Sequence, residues 1–185
     1  MFLSVFFKGE WRYSESPVET SRLVVEVMEG LQGEEEVGGF YFPGEDAWFC
    51  IAERRHSETE PVAGSNLRVA INRRHGYGAL VWFVDEKFSK EGGVYDSVWI
   101  SDNPEPPDFD PRVVSDPGYP LFHDSASTLP VSRIQAAVEE FCRLRSGNRP
   151  ECIHWVAGHM NGQRLDRPSV VEMVEDPEID WDSLR

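Results

Sequence analysis

Basic residues are scarce in this 185-residue sequence. Lys and Arg number 18 against 33 Asp and Glu, which gives a formal net charge of −15. Such a surface repels nucleic-acid phosphates and anionic lipid headgroups, so the composition argues against a protein that binds nucleic acid or membranes. A basic protein partner is the natural alternative. Long apolar runs are also missing: none approaches the roughly 18 to 20 residues that a membrane-spanning helix needs.

Cysteine is equally scarce. Cys50, Cys142 and Cys152 are an odd number at long spacings, which is typical neither of a secreted disulfide framework nor of a zinc ribbon. We therefore expect a cytoplasmic protein. The apolar segment at residues 2–7 is too short for a signal-peptide core and has no basic residue before it. We interpret it as a first β-strand.

The signatures of familiar enzyme classes are absent. The sequence contains no G-x-S-x-G elbow, no H-E-x-x-H and no phosphate-binding G-x-x-x-x-G-K-S/T loop. His56-Ser57-Glu58 matches half of a zinc deaminase motif, but the paired cysteines of the other half are missing. Cys152, His154 and His159 lack a fourth metal ligand, so a half-buried structural cysteine and a strand histidine are the favoured interpretation. We predict no catalytic, cofactor-binding or metal-binding residue.

The pattern of apolar residues predicts an α+β fold, an antiparallel β-sheet meander with two main helices packed on one face. Ser16-Pro17-Val18-Glu19 is a helix-start signature, and helical spacing of apolar residues extends this helix to about Leu31. A second amphipathic helix is predicted from about Pro130 until Gly147 ends it. Runs rich in β-branched and aromatic residues predict strands at 2–7, 37–42, 47–54, 66–72, 77–85, 93–100 and 151–156.

Acidic residues are concentrated in three segments of what we expect to be a single domain, residues 1–185. Residues 23–53 hold eight acids and no base. Residues 102–124 hold six prolines and six acids against one base, Arg112, and are predicted to form an extended loop that crosses a sheet edge. An acidic C-terminal tail, 168–185, either packs or frays. Solvation explains any one segment; together they suggest a docking face for a cationic protein.

Several local motifs lie between Gly76 and Trp155. They are Gly-Tyr-Gly-Ala-Leu from Gly76, Gly-Val-Tyr-Asp-Ser from Gly93, Leu129-Pro130 before the second helix, Ala-Val-Glu-Glu-Phe from Ala137, and Gly-Asn-Arg-Pro-Glu-Cys-Ile-His-Trp from Gly147. Together with the acidic proline-rich loop, they resemble the immunity proteins of bacterial polymorphic-toxin systems, specifically the family often encoded beside deaminase-fold toxins. The resemblance implies an α+β domain that binds and silences a cognate toxin.

The residues shared with this family have structural roles that need no partner, such as a turn, a strand entry or core packing. We interpret them as scaffold: Gly76, Gly78, Pro130, Glu140, Phe141, Gly147, Arg149, Pro150 and Trp155. Toxin contacts are expected on the acidic loop, whose prolines reduce the entropy lost on docking, with the glycine-containing and more mobile segment 34–46 as runner-up. The candidate toxin-binding residues are Asp102, Glu105, Asp108, Phe109, Asp110, Asp116, Tyr119, Glu34, Glu35 and Glu36.

Charge and resemblance together predict a cytoplasmic immunity protein that is not an enzyme. It is expected to occlude the active site of a cognate toxin, either a nucleic-acid deaminase or another nucleic-acid-modifying toxin domain. Two alternatives stay open. A small enzyme with an undiagnosed carboxylate or Cys/His site would show a concave pocket with converging polar groups. A protein-binding adaptor domain would show an exposed, uncharged sheet edge.

Overall fold

Strands dominate the computed structural model, which describes residues 1–56, 64–84, 97–118 and 121–168. A short 3-10 helix spans Ser125–Ser127. In chain order the other described elements are β1 (Phe2–Phe7), β2 (Glu10–Ser14), α1 (Pro17–Gly30), β3 (Glu35–Val37), β4 (Phe40–Phe42), β5 (Asp46–Ala52), β6 (Gly64–Asn72), β7 (Tyr77–Val84), β8 (Val98–Asp102), β9 (Val114–Asp116), β10 (Leu121–Phe122), β11 (Leu129–Pro130), α2 (Val131–Leu144) and β12 (His154–Ala157).

Within the described residues, eight strands form one antiparallel sheet. Its order is β12-β8-β7-β6-β5-β1-β2, with β11 also paired to β7. Strands β5 to β8 are a meander in which chain neighbours are sheet neighbours, and Trp82 pairs directly with Trp99. Two further pairs, β3 with β4 and β9 with β10, form separate two-stranded sheets. The predicted α+β class and antiparallel meander are confirmed.

The first helix begins as its sequence predicts. Ser16 caps it by accepting a hydrogen bond from the Glu19 amide, and the Glu19 carboxylate accepts one from the Ser16 amide in return. This capping box satisfies amide groups that the first helical turn leaves without partners. The second helix ends at Leu144, and the left-handed residue that follows is Arg145, with φ 49°. Gly147, predicted for that position, also has a positive φ but lies two residues further on.

Both helices pack on the same face of the sheet. Alternate residues of neighbouring strands, such as Val5 opposite Phe49, share one face and one core with the helices. From α1 the core receives Val27 among others, and from α2 it receives Ile134 and Phe141. Burial of these apolar side chains is the main stabilising contribution, about 1.5 to 3 kcal/mol for each large one.

The proline-rich loop, residues 102–124, covers the opposite face of the sheet. Val113 and Val114 are buried against Ala70 and Ala79, and Arg68 donates a 2.6 Å hydrogen bond to a backbone oxygen of the loop. The sequence predicted a loop that crosses a sheet edge but did not predict its burial against the sheet. Two apolar valines and the small alanines beneath them allow the chain to pack closely on the sheet.

Two strand assignments also differ from the sequence expectation. A turn at Lys8 and Gly9, both with positive φ, returns the chain as β2, which the sequence reading missed. The single strand expected at 37–42 is a hairpin, β3 and β4, joined by Gly38 and Gly39. Both glycines have positive φ, as a tight two-residue hairpin turn requires. The glycines therefore set a defined turn where mobility was expected.

Some expectations fall on parts of the sequence that the structure does not describe. They concern Ser57 and Glu58, the start of the strand and the motif expected from Gly93, Tyr119, and the tail beyond residue 168. The last predicted strand is described, but it begins at His154, three residues later than expected. In the described part of the chain, neither helix is long and apolar enough to cross a membrane.

Candidate functional site

Arg112 connects two acid-rich segments that were predicted as separate: its own loop, residues 102–124, and the hairpin within residues 23–53. Its Nε donates a 2.6 Å hydrogen bond to Glu34, and one of its terminal nitrogens donates a 3.0 Å bond to the hydroxyl of Tyr41. Its guanidinium also lies 4.1 Å from the ring centre of Phe122, a favourable cation–π distance. The proline-rich loop and the β3–β4 hairpin therefore meet at one residue.

The backbone of Arg112 is held in a conformation that non-glycine residues rarely adopt, with φ 49°. Its amide donates a 2.8 Å hydrogen bond to the Asp110 carboxylate, and its carbonyl accepts one from Asn72 of β6. These contacts fix the loop where the guanidinium must turn toward the hairpin. The hydrogen bond to Glu34, followed by the one to Tyr41, also raises the pKa of the guanidinium.

The β3–β4 hairpin is acidic and aromatic. Glu35 and Glu36 are exposed, and so are Phe40, at 82% of its surface, and Tyr41 at 52%. On the neighbouring loop, Phe109 is 45% exposed, and its ring meets the edges of His75 and Tyr77. Exposed aromatic side chains surrounded by acids are typical of binding surfaces.

The predicted toxin-binding acids differ in their surroundings. Glu105 and Asp108 are exposed on the loop. Asp102, by contrast, forms a 2.8 Å ion pair with the buried Arg164, so its charge is compensated within the protein. Asp116 accepts a hydrogen bond from the Gly118 amide. The structure thus brings Glu34, Glu35 and Glu36 next to the loop that carries Asp108, Phe109 and Asp110, and leaves Asp102 in an internal ion pair.

A cleft of about 600 Å³ lies beside this region and tests the enzyme alternative. Its lining includes His123 and Arg164. Arg164 binds Asp166 through two hydrogen bonds and Asp102 through another. Burial and the nearby charge of Arg68 lower the pKa of His123 to about 3, so this imidazole is neutral at pH 7. Arg164 is bonded to two carboxylates and His123 is uncharged, which favours a structural role for these two residues over general acid–base catalysis.

Four of the residues interpreted as family scaffold form a second cluster: Gly147, Arg149, Pro150 and Trp155. The Arg149 guanidinium lies 3.9 Å from the ring centre of Trp99 and about 6 Å from those of Trp82 and Trp155. The indole nitrogens of Trp82 and Trp155 donate to the carbonyls of Gly147 and Pro150. Residues 147–150 are thus held against three neighbouring strands by their aromatic side chains.

Glu140 holds the turn that follows. Its carboxylate accepts hydrogen bonds from the amides of Glu151 and Cys152, at 2.9 and 3.2 Å. Partial burial acts to raise the pKa of this carboxyl, but the hydrogen bonds outweigh it and lower the pKa. Helix α2 thereby fixes the entry to β12.

The other scaffold residues meet where α2 begins. Pro130 pairs with Tyr77 in the sheet, and the Val131 amide donates to the Gly76 carbonyl at 3.1 Å. A Cβ on Gly78 would lie 2.7 Å from the Ala70 carbonyl oxygen and 3.1 Å from Ile134. A side chain there has no room, which explains the glycine.

The cysteines have surroundings that disfavour nucleophilic chemistry. Cys50 and Cys142 are buried in the interior, and burial raises the pKa of Cys50 to about 12 and raises that of Cys142 as well. Cys152 is exposed rather than half-buried as expected; desolvation and the Glu140 carboxylate raise its pKa to about 11. A protonated thiol is a poor nucleophile and metal ligand. In residues 1–56, 64–84, 97–118 and 121–168, no group of three metal-capable side chains converges.

An acidic α+β domain with an aromatic, carboxylate-rich face is suited to binding a basic protein surface. Comparison with known families agrees: the model described as Immunity protein Imm1 matches residues 43–157, more than half of the chain. The chain belongs to this family of immunity proteins, whose members act against toxins. The match begins 33 residues before the motifs at Gly76. Neither the curated proteins nor the solved structures provide a match.

Three residues of the loop–hairpin region, Arg112, Phe40 and Tyr41, were not among the toxin-binding residues predicted from the sequence. Arg112 was noted only as the lone base of an acidic loop, and Phe40 and Tyr41 were assigned to a strand. The signal for the hairpin was present: two adjacent glycines between apolar residues favour a two-residue turn. The reach of Arg112 to Glu34 had no sequence signal, because it depends on how the loop packs on the sheet.

Proposed function

We propose that this immunity protein neutralises a nucleic-acid deaminase toxin by occupying the toxin's active-site cleft. The junction at Arg112 carries this proposal, because it holds the acidic hairpin and the acidic loop next to each other, and both carry exposed aromatic residues. An enzyme that acts on nucleic acid needs a positive cleft for phosphates. A surface that presents several exposed carboxylates competes with phosphates for the same positive cleft.

The mode of action is stoichiometric and requires no chemistry from the immunity protein, and its place of action is the cytoplasm, where the toxin meets its substrate. The net charge of −15 accelerates association with a basic toxin, since complementary fields raise association rates at low salt. An interface of about 800 Å² per partner is ordinary for a stable complex and fits a domain of this size.

The test uses the toxin domain encoded beside this protein and a DNA substrate containing one target cytosine. Titration with the immunity protein should abolish uracil formation at one molar equivalent, and inhibition at sub-stoichiometric occupancy should weaken as the DNA concentration rises. An unrelated deaminase is the control enzyme and should remain active. A complex that forms while deamination continues would rule out occlusion. Neutralisation of a toxin with other chemistry would rule out the deaminase assignment.

A further inference from the structure

The β3–β4 hairpin has two chemically different sides. Residues that pair directly across antiparallel strands project to the same side, and the side alternates along each strand. Val37 pairs with Phe40, and Glu35 pairs with Phe42. These four side chains therefore share one side of the hairpin, which we call the hairpin face.

The other side of the hairpin is the side that is anchored to the protein. Tyr41 pairs with Glu36 across the hairpin. Its hydroxyl donates a 3.1 Å hydrogen bond to Glu34 and accepts one from Arg112. Because Arg112 belongs to the proline-rich loop, these contacts set the orientation of the hairpin and direct the hairpin face away from the anchoring loop.

The apolar side chains of the hairpin face are unusually exposed. Phe40 is 82% exposed, Val37 is 60% exposed and Phe42 is 37% exposed. Contiguous apolar surface of this kind is disfavoured in water and generally marks a contact site. The two-residue turn formed by Gly38 and Gly39 fixes the pairing register of β3 and β4. The three side chains are therefore presented together before any partner binds.

Resting on the proposed function, which supplies the toxin as partner, we infer that the hairpin face is the anchor of the toxin complex. Phe40 and Phe42 enter an apolar pocket of the toxin, and a rim of Lys or Arg on the toxin meets the Glu35 carboxylate, which lies on the same side of the hairpin. This arrangement, an aromatic centre within a charged rim, is the usual anatomy of a tight interface.

The position of the hairpin relative to the family match agrees with this role. The match covers residues 43–157, so β3 and β4 lie just before the segment by which the family is recognised. Their two-stranded sheet shares no strand with the eight-stranded sheet in the described residues. An element that must fit one particular toxin is best placed where it does not disturb the common scaffold.

The decisive variant replaces Phe40→Ser and Phe42→Ser together. Its affinity for the catalytically inactive toxin domain, measured by surface plasmon resonance, should fall about 30-fold or more, the size of a binding hot spot. The matched control replaces two exposed apolar residues on the helices, Val18→Ser and Leu144→Ser, which are 75% and 52% exposed. The control should bind like the wild type. Thermal unfolding of both variants should stay close to that of the wild type, because all four residues are exposed.

A gain-of-signal measurement complements the affinity loss. Photoactivation of Phe40→p-benzoylphenylalanine should crosslink the toxin, whereas Leu144→p-benzoylphenylalanine should not. Equal toxin binding by the hairpin variant and wild type would overturn the inference while leaving the proposed function intact. A wild-type protein that fails to bind the toxin would overturn both. Sedimentation as a dimer that the Phe40→Ser and Phe42→Ser variant dissociates would also overturn it, since the face would then bind a second copy of this chain.

Discussion

The guanidinium of Arg112 and the carboxylate of Glu34 are joined by a 2.6 Å hydrogen bond although 78 positions separate them in the sequence. Glu34 is the more buried partner, with 14% of its side chain exposed against 41% for Arg112. The pair therefore fixes the position of the hairpin relative to the proline-rich loop. Its principal effect should be on the geometry of the face and only secondarily on stability.

Replacing Arg112→Gly tests this role without adding backbone strain, since glycine accepts the φ of 49°. Amide hydrogens of residues 35–42 should exchange faster, and the toxin should dissociate about tenfold faster because the hairpin is no longer pre-organised. The free energy of unfolding should fall by only about 1 kcal/mol, as partly exposed ion pairs contribute little.

A double-mutant cycle with Glu34→Gln separates this pair from other contacts of Arg112. The two changes should be non-additive in the dissociation rate, since each removes the same interaction. Additive effects, or unchanged exchange in the hairpin, would show that the loop and hairpin are positioned independently.

Reversing charge on the loop should slow association. Glu105→Lys with Asp108→Lys changes two exposed carboxylates and should reduce the association rate at low salt and flatten its salt dependence. Asp110 is left unchanged because its carboxylate holds the Arg112 amide. Stopped-flow mixing with the toxin at two ionic strengths measures the effect.

The control for this prediction is Glu10→Lys with Glu139→Lys, which makes the same change in net charge at two other exposed positions. Glu10 begins β2, at the edge of the sheet opposite to β12. A local docking face predicts a smaller effect for the control. Identical slowing by both pairs would mean that only the overall charge matters.

Arg149→Ala should destabilise the fold because the guanidinium packs 3.9 Å from the ring centre of Trp99. We expect a loss of about 2 kcal/mol in the free energy of unfolding, as for a partly desolvated cation–π contact. Urea unfolding followed by tryptophan fluorescence measures it. The matched control is Arg133→Ala, an exposed arginine that donates a 2.9 Å hydrogen bond to the Cys152 carbonyl; it should lose about 0.5 kcal/mol or less. If both variants lost the same free energy of unfolding, the packing of Arg149 on the tryptophan rings would not stabilise the fold.

His123 should make stability depend on pH. Its pKa in the folded protein is about 3, against 6.5 for the ordinary side chain, because of burial and the charge of Arg68. Between these values the unfolded chain binds a proton that the folded one does not, so stability is full above about pH 6.5 and falls as the pH drops toward 3. The slope contributed is at most about 1.4 kcal/mol per pH unit.

Urea unfolding at intervals from pH 4 to 7 checks the sign and the source of this slope. His123→Gln removes the titrating group, so its stability should fall less steeply with acidification even if it is lower throughout. A variant with the wild-type slope would assign the acid sensitivity to the carboxylates.

Local sequence signals were sufficient to predict the elements whose conformation depends on residues close together in the chain. The capping box of Ser16 and Glu19 begins α1 as predicted, and runs rich in β-branched and aromatic residues identified β5 to β8. These elements depend on periodicity and turn chemistry, which a short window of sequence contains. The family motifs from Gly76 to Trp155 likewise led to the family that the comparison shows.

Features that depend on long-range packing could not be predicted from the sequence. The prolines correctly predicted a loop without a helix in the described residues 102–118, but they did not reveal that Val113 and Val114 would be buried on the sheet. The internal ion pair of Asp102 with Arg164 was equally hidden. Such partners are determined by tertiary structure, so a composition-based choice of acids could not separate charges compensated inside the protein from charges presented to a partner.

The independence of the two-stranded β3–β4 sheet has a practical consequence for protein engineering. Its register is fixed by Gly38 and Gly39, and within the described part of the chain its strands pair only with each other. The outward positions Val37, Phe40 and Phe42 are therefore suitable sites for a combinatorial library. Members of that library should remain folded over a wide range of side chains. Selection against toxins other than the natural one could then yield new inhibitors from the same scaffold.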